Sequence, residues 1–279
     1  MPTLILASRS VVYDRALADA AAASGWNIVI CDRDTLPSEC NDAVVYVTID
    51  LALAAAKQLQ LTLLEPPFDL LARIPVRFRR RQVEFSNFGE LVRLRQRTFV
   101  KPADPLDKWF DAGTYSDIRD INTRGRVRPE TPVLLSELVE WSAEYRCFVL
   151  DGKVIAESPY LSFGRPSWKP FDPRRASGGV PKPGLAVVEG LCTAMRGQLP
   201  PAFVVDVGLI EDRGWAVVEF NPIWCSGLLA ADPQAILPVL KRATRPKGKL
   251  TQSDRKWVVR ECFESHHSPP PPGLRSPSS

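Results

Sequence analysis

Histidine is almost missing from this chain. It occurs twice in 279 residues, as His266 and His267 beside a C-terminal run of prolines and serines. No histidine upstream can act as a base, so a Ser-His-Asp constellation is excluded. The pair itself reads as two solvated tail residues rather than a metal site. Cysteine is present (31, 40, 147, 192, 225, 262) but never as a C-x-x-C pair, which argues against a disulfide scaffold and a structural zinc site. No apolar run approaches the roughly 20 residues of a membrane helix. Met1-Pro2-Thr3-Leu4 lacks a basic region leading into an apolar core, so no signal peptide is expected, and a reducing cytoplasm is the expected compartment. The net charge of +4 is too small to argue for nucleic acid.

What is present is an ordinary soluble composition, 45% apolar and 24% charged, long enough for one large domain or two small ones. Before Arg80 the pattern alternates strand and helix. Thr3–Ala7 is a strand, Val11–Ala23 an alanine-rich helix that Gly25 suits to end, Asn27–Cys31 a strand, 43–49 a strand, 51–59 a helix and 61–64 a strand. This predicts an α/β unit with parallel pairing and right-handed crossovers. The first turn, Ala7-Ser8-Arg9-Ser10, carries no G-x-G-x-x-G, which argues against NAD or FAD. The run Arg77-Phe78-Arg79-Arg80-Arg81 reads as a solvated basic linker, a positive wall beside a phosphate, or a nucleic-acid contact. Ser86 or Asn87 caps a helix over 88–95. From Ser268 onward the Pro/Ser-rich tail cannot bury enough apolar surface to offset ordering.

Three later segments carry chemistry. In Thr98-Phe99-Val100-Lys101-Pro102 the proline ends a strand and leaves the Lys101 ammonium free to emerge onto a site or simply into solvent. Asp151-Gly152, between two apolar runs, signals a hairpin that would set Arg146 opposite Glu157. Glu144, Arg146 and Phe148 then share a face. Arg146 is either a partner of Glu157 or an arginine aimed at phosphate. Ala202–Ile210 and residues 215–221 form a second hairpin about Asp212 and Arg213. That turn places Asp206 across from Glu219, with Asn221 on the same side. Two carboxylates opposed in apolar strands need a counter-charge. A divalent ion held by Asp206, Glu219 and Asn221 answers that need, as would a shared proton or a nearby arginine.

The order Val-Lys-Pro, Ser-Glu-Leu-Val, Glu-x-Arg before a hairpin, then Val-Asp-Val and Val-Glu-Phe-Asn resembles the ATP-grasp superfamily. The spacing of Lys101, Lys108 and Phe110 is most similar to a small bacterial and phage-associated clade, RimK-like and glutathione-synthetase-like. The resemblance implies an α/β (α+β) class: an ATP-grasp fold over 76–245, preceded by a small Rossmann-like pre-ATP-grasp domain over 1–75. A short extension over 246–267 and a disordered tail over 268–279 would follow. It implies ATP and Mg²⁺ as cofactors. Lys101 and Lys108 would contact phosphates, Glu137, Leu138 and Val139 would read adenine, and Glu144 would bind ribose. Arg146, with Lys101, would be catalytic, and Asp206, Glu219 and Asn221 would hold Mg²⁺. The implied reaction is ADP-forming carboxylate–amine ligation through an acyl phosphate, on small-molecule or peptide substrates, without membrane or nucleic acid. The phosphate loop lacks the dense glycines of many such ligases, and Ser162 to Gly179, with Arg165, Arg174 and Arg175, matches the substrate side only loosely. Two other readings remain open. One is a non-catalytic nucleotide-binding module. The other is a nucleotidyl-transferring ligase, although Lys-Pro-Ala-Asp is not the Lys-x-Asp-Gly of that chemistry.

Overall fold

The computed structural model describes residues 1–8, 11–104, 109–167 and 181–259, with 11–14 described by backbone alone. Lys108, Arg174, Arg175, the two histidines and the tail lie outside the described residues.

The chain opens with β1 (Thr3–Ala7), α1 (Val11–Ala23), β2 (Asn27–Cys31), β3 (Ala43–Tyr46) and α2 (Ile49–Gln58). As the alternation predicts, β1 pairs in parallel with β2 and β3, giving the order β2-β1-β3. β4 (Leu61–Leu63) departs from that expectation. It leaves the parallel sheet and pairs antiparallel with β14 (Thr244–Pro246), near the end of the described chain. The third strand is also shorter than its apolar run, because Val47 donates its amide to Trp224 O at 3.1 Å rather than to a ladder.

Two short helices, α3 (Leu70–Arg73) and α4 (Val76–Arg79), lead to an antiparallel four-stranded sheet of order β5-β8-β6-β7. Its strands are β5 (Val83–Asn87), β6 (Thr98–Pro102), β7 (Gly113–Tyr115) and β8 (Pro132–Ser136). Asn87 caps the next segment by accepting from Glu90 N at 3.1 Å. That segment is a tight 3₁₀ turn, Phe88–Arg93, instead of the predicted α-helix to residue 95. Leu91, Val100, Phe110, Ile121 and Val133 fill this lobe's core.

Residues 137–140 carry the chain into an antiparallel five-stranded sheet of order β11-β10-β9-β12-β13. It comprises β9 (Trp141–Leu150), β10 (Lys153–Ser162), β11 (Arg165–Pro166), β12 (Ala202–Ile210) and β13 (Gly214–Asn221). α5 (Lys182–Ala194) precedes β12, and α6 (Pro233–Ala243) follows β13. Asp151 and Gly152 take φ of 48° and 79°, the left-handed pair that a two-residue hairpin turn demands.

The sheet's two faces bury different partners. Cys147, Val149, Phe203, Val205 and Val207 pack with Val188 and Leu191 of α5 and Phe78 of α4. On the opposite face Phe148, Ala202 and Val204 pack with Ile236, Leu237 and Leu240 of α6 and with the β1–β3 layer. Along that second face the side chains of β9 change from Phe148 to Arg146 and Glu144. The charged site begins there.

Candidate active site

A cleft of about 640 Å³ lies between the four-stranded and five-stranded sheets. Its lining includes Lys101, Glu137, Leu138, Val139, Glu144, Glu219 and Asn221. Residues separated by more than a hundred positions thus share one cavity, as the resemblance requires. Arg81, Trp141 and Tyr160 also line it; none of these was singled out from the sequence as a site residue.

At the floor, Asp206 pairs across the strands with Glu219, as expected. The expectation succeeded through two compensating features. The turn holds three residues, Glu211 to Arg213, so the register begins one residue off, with Ile210 opposite Gly214. A bulge between Val217 and Glu219 then restores the pairing. Asn221 Nδ2 donates to Glu219 Oε1 at 3.1 Å and to Asp206 Oδ2 at 3.4 Å.

Arg146 does not pair with Glu157. A bulge at Ile155 shifts the β9–β10 register, so Arg146 faces Ser158 and Glu157 faces Cys147. On its other side Arg146 lies directly opposite Asp206 and grips it with two bonds, Nε to Oδ1 at 2.8 Å and Nη2 to Oδ2 at 2.7 Å. Its Nη1 donates to Gly227 O at 3.2 Å, and its guanidinium sits 4.8 Å from the centroid of the Tyr160 ring. Tyr160 occupies a second β10 bulge, another local irregularity that re-aims a side chain beside the site.

Lys101, near the end of β6, crosses the cleft and donates to Glu219 Oε2 at 2.6 Å. The floor carboxylates are therefore met by protein cations, and among the described residues no cluster of three or more His, Cys, Asp or Glu forms a ready metal cage. Burial raises the Asp206 pKa to about 6 against the pull of Arg146, with Glu219 adding to the rise. Burial would raise Glu219 too, but the Lys101 ammonium and the Asn221 amide hold it at about 2. Glu144 is 9% exposed, and burial, with Asp206 and Glu219 adding like charge, raises it to about 7.

The predicted adenine segment forms the cleft rim. Glu137 N donates to Gln82 O at 2.9 Å, and its carboxylate accepts from Gln82 N at 3.1 Å and from Arg213 Nη2 at 2.5 Å. These bonds hold its acid well below the usual carboxylate range. The two chain crossings between lobes, at Gln82 and Glu137, thus run side by side. The arginine run divides by burial rather than acting as one patch. Arg79 Nη1 binds the Ala72 and Val83 carbonyls at 2.7 and 2.9 Å. Arg81 is 6% exposed and spans the lobes. No signal in the five-residue run marks which arginine is buried, because the partners lie far along the chain.

Residues 78–239, more than half of the sequence, match an ATP-grasp domain family, the second family of its clade. The chain belongs to this ATP-grasp family. The crystal structure of D-cycloserine synthetase DcsG is similar, with a TM-score of 0.55 at 12% identity over 86% of this chain and 99% of that one. A RimK domain ATP-grasp protein from Sphaerobacter thermophilus DSM 20745 gives 0.49 at 17% identity over 87% and 97%. The ATP-grasp ligase PsnB, in complex with a minimal precursor, Mg and ADP, gives 0.41 at 14% identity over 78% and 88%. At these identities likeness bears on the fold alone. No curated protein matches the chain. No helix among the described residues of this ATP-grasp protein is long and apolar enough to cross a membrane.

Proposed function

We propose that this ATP-grasp protein is an ADP-forming carboxylate–amine ligase that works through an acyl phosphate. The observation that carries the reading is the joined network Arg146–Asp206–Asn221–Glu219–Lys101 at the floor of a cleft rimmed by residues 137–139. Adenine would lie along Glu137, Leu138 and Val139, ribose against Glu144, and phosphates toward Lys101, with Lys108 as a second phosphate contact. Asp206, Glu219 and Asn221 offer only hard oxygen donors on one face, a set that suits Mg²⁺ together with phosphate oxygens. Bound there, Mg²⁺ would neutralise charge on the transferring phosphoryl group.

The chain's own residues would do the rest by positioning and charge. Lys101 can serve the phosphates only by leaving Glu219, so nucleotide binding exchanges one partner of that carboxylate for another. Arg146 stays on Asp206 and supplies a fixed buried positive charge for the phosphoryl group or the acyl phosphate. The lining offers no activated nucleophile, which fits direct attack of a substrate carboxylate on ATP. The substrates would be a small-molecule or peptide carboxylate and an amine.

The test is phosphate release from ATP over a panel of amino acids and peptides, with nucleotide products separated. ADP and phosphate that appear only with both substrates support the ligase. AMP and pyrophosphate contradict it. MgATP binding without turnover on any pair would favour a non-catalytic nucleotide-binding module.

A further inference from the structure

Glu219 meets Asp206 because of one extra residue in β13. From the turn the register runs Ile210 with Gly214, Leu209 with Trp215, Gly208 with Ala216 and Val207 with Val217. Continued unchanged, it would pair Asp206 with Val218 and Glu219 with Val205. Val205 packs into the core beneath α5. A one-residue slip moves a side chain to the other face of a sheet, so Glu219 would turn away from the cleft. The bulge at Val218 prevents this.

Arg81 holds that bulge. Its Nη1 donates to Val217 O at 2.7 Å and its Nη2 to Val218 O at 2.9 Å. Its Nε donates to Ser136 Oγ at 3.0 Å, at the last residue of β8 before the cleft rim. The guanidinium is buried and sits 4.9 Å from the centroid of the Trp141 ring. A fixed planar fork can reach two successive carbonyls and a hydroxyl together; a lysine ammonium, a single point of charge, cannot reproduce that geometry. We infer that Arg81 is the positioning residue that fixes the Val218 bulge, aims Glu219 at Asp206 and Lys101, and ties that aim to the rim through Ser136. The inference rests on the cleft being the MgATP site.

The test compares wild type with Arg81→Lys, measuring binding of a non-hydrolysable ATP analogue by calorimetry with and without Mg²⁺, and solving the variant's crystal structure. Metal-free affinity should stay near wild type, while the gain on adding Mg²⁺ should fall by about tenfold or more, the usual cost of disturbing a residue that orients a metal ligand. Deleting Val218 in the Arg81→Lys background should restore the gain. With the extra residue gone, Glu219 falls opposite Asp206 in a regular register and needs no clamp. A full Mg²⁺ gain in Arg81→Lys, or none regained by the deletion, overturns the inference. A purely structural arginine would lower the melting temperature and leave the Mg²⁺ gain at its wild-type size. If wild type itself shows no Mg²⁺ gain, the cleft reading fails. The crystal structure still decides the positioning, since a retained Asp206–Glu219 pairing in Arg81→Lys would refute it.

Discussion

The two ion pairs at the cleft floor look alike and are built differently. Arg146 and Asp206 sit opposite each other on neighbouring strands of one sheet, joined by two bonds, with side chains 9% and 0% exposed. Lys101 and Glu219 come from different sheets, meet through one contact at 2.6 Å, and remain 18% and 28% exposed. The first pair is fixed by the ladder that carries it. The second spans the cleft, and any ligand entering between the sheets must compete with it. The difference assigns the deep pair to architecture and fixed charge, and the crossing pair to exchange.

The sharpest way to break this comparison is to remove one cation from each pair. Arg146→Met leaves Asp206 buried without its partner, so urea denaturation should show a loss of about 3–5 kcal/mol. Lys101→Met should cost about 1 kcal/mol or less, because Glu219 keeps Asn221 and some solvent, yet it should abolish most nucleotide affinity. Equal stability losses would mean that the two pairs do the same work.

The next prediction probes the sheet that holds the deep pair. Gly208 lies opposite Glu144, and a Cβ there would meet Trp141 Cε3 at 2.5 Å and Ala143 O at 2.9 Å. Gly208→Ala should therefore cost about 1–3 kcal/mol by overpacking. It should also shift Trp141 at the cleft wall, which would be read as changed tryptophan fluorescence. An unchanged melting temperature would show that β9 yields more readily than a fixed ladder should.

A smaller effect comes from Glu144, which adds a third carboxylate near the deep pair. Its folded pKa of about 7 lies above its ordinary 4.5, so the folded state holds the proton more tightly. That contribution is complete below pH 4.5 and is lost as pH rises toward 7. Glu144→Gln should flatten this part of the pH–stability curve and stabilise the protein at pH 8 by about 2 kcal/mol. Asp206 acts with the same sign, losing its contribution between 3.8 and about 6, and so leaves a residual slope. Identical curves for wild type and variant would place Glu144 in a better-solvated setting than its burial indicates.

What could be read from the sequence follows the range of the interactions. The parallel β1–β3 unit, the Asp151-Gly152 hairpin and the Asp206–Glu219 opposition depend on local periodicity and turn chemistry, and all three form. Features set by distant partners were not legible. Arg146 was matched to its hairpin neighbour Glu157 because the strand that supplies Asp206 lies sixty residues on, and no pattern announces the bulge at Ile155. The Asp206–Glu219 pairing emerged because a three-residue turn and a one-residue bulge cancel. β4 reads as a further parallel strand by composition, yet its partner is a three-residue strand near the end of the described chain. Arg81 sits in a run of basic residues whose burial is decided by carbonyls more than 130 positions away.

The central claim is that the Lys101–Glu219 pair is exchanged when nucleotide and metal arrive. Glu219→Gln tests it most directly, with binding of a non-hydrolysable ATP analogue measured by calorimetry in the presence and absence of Mg²⁺. Removing the carboxylate frees Lys101 for phosphate and takes away one oxygen ligand of the metal. Metal-free affinity should therefore equal or exceed that of wild type, while the gain on adding Mg²⁺ should largely vanish. A variant that keeps the full Mg²⁺ gain, or that binds metal-free nucleotide more weakly than wild type, would contradict the exchange.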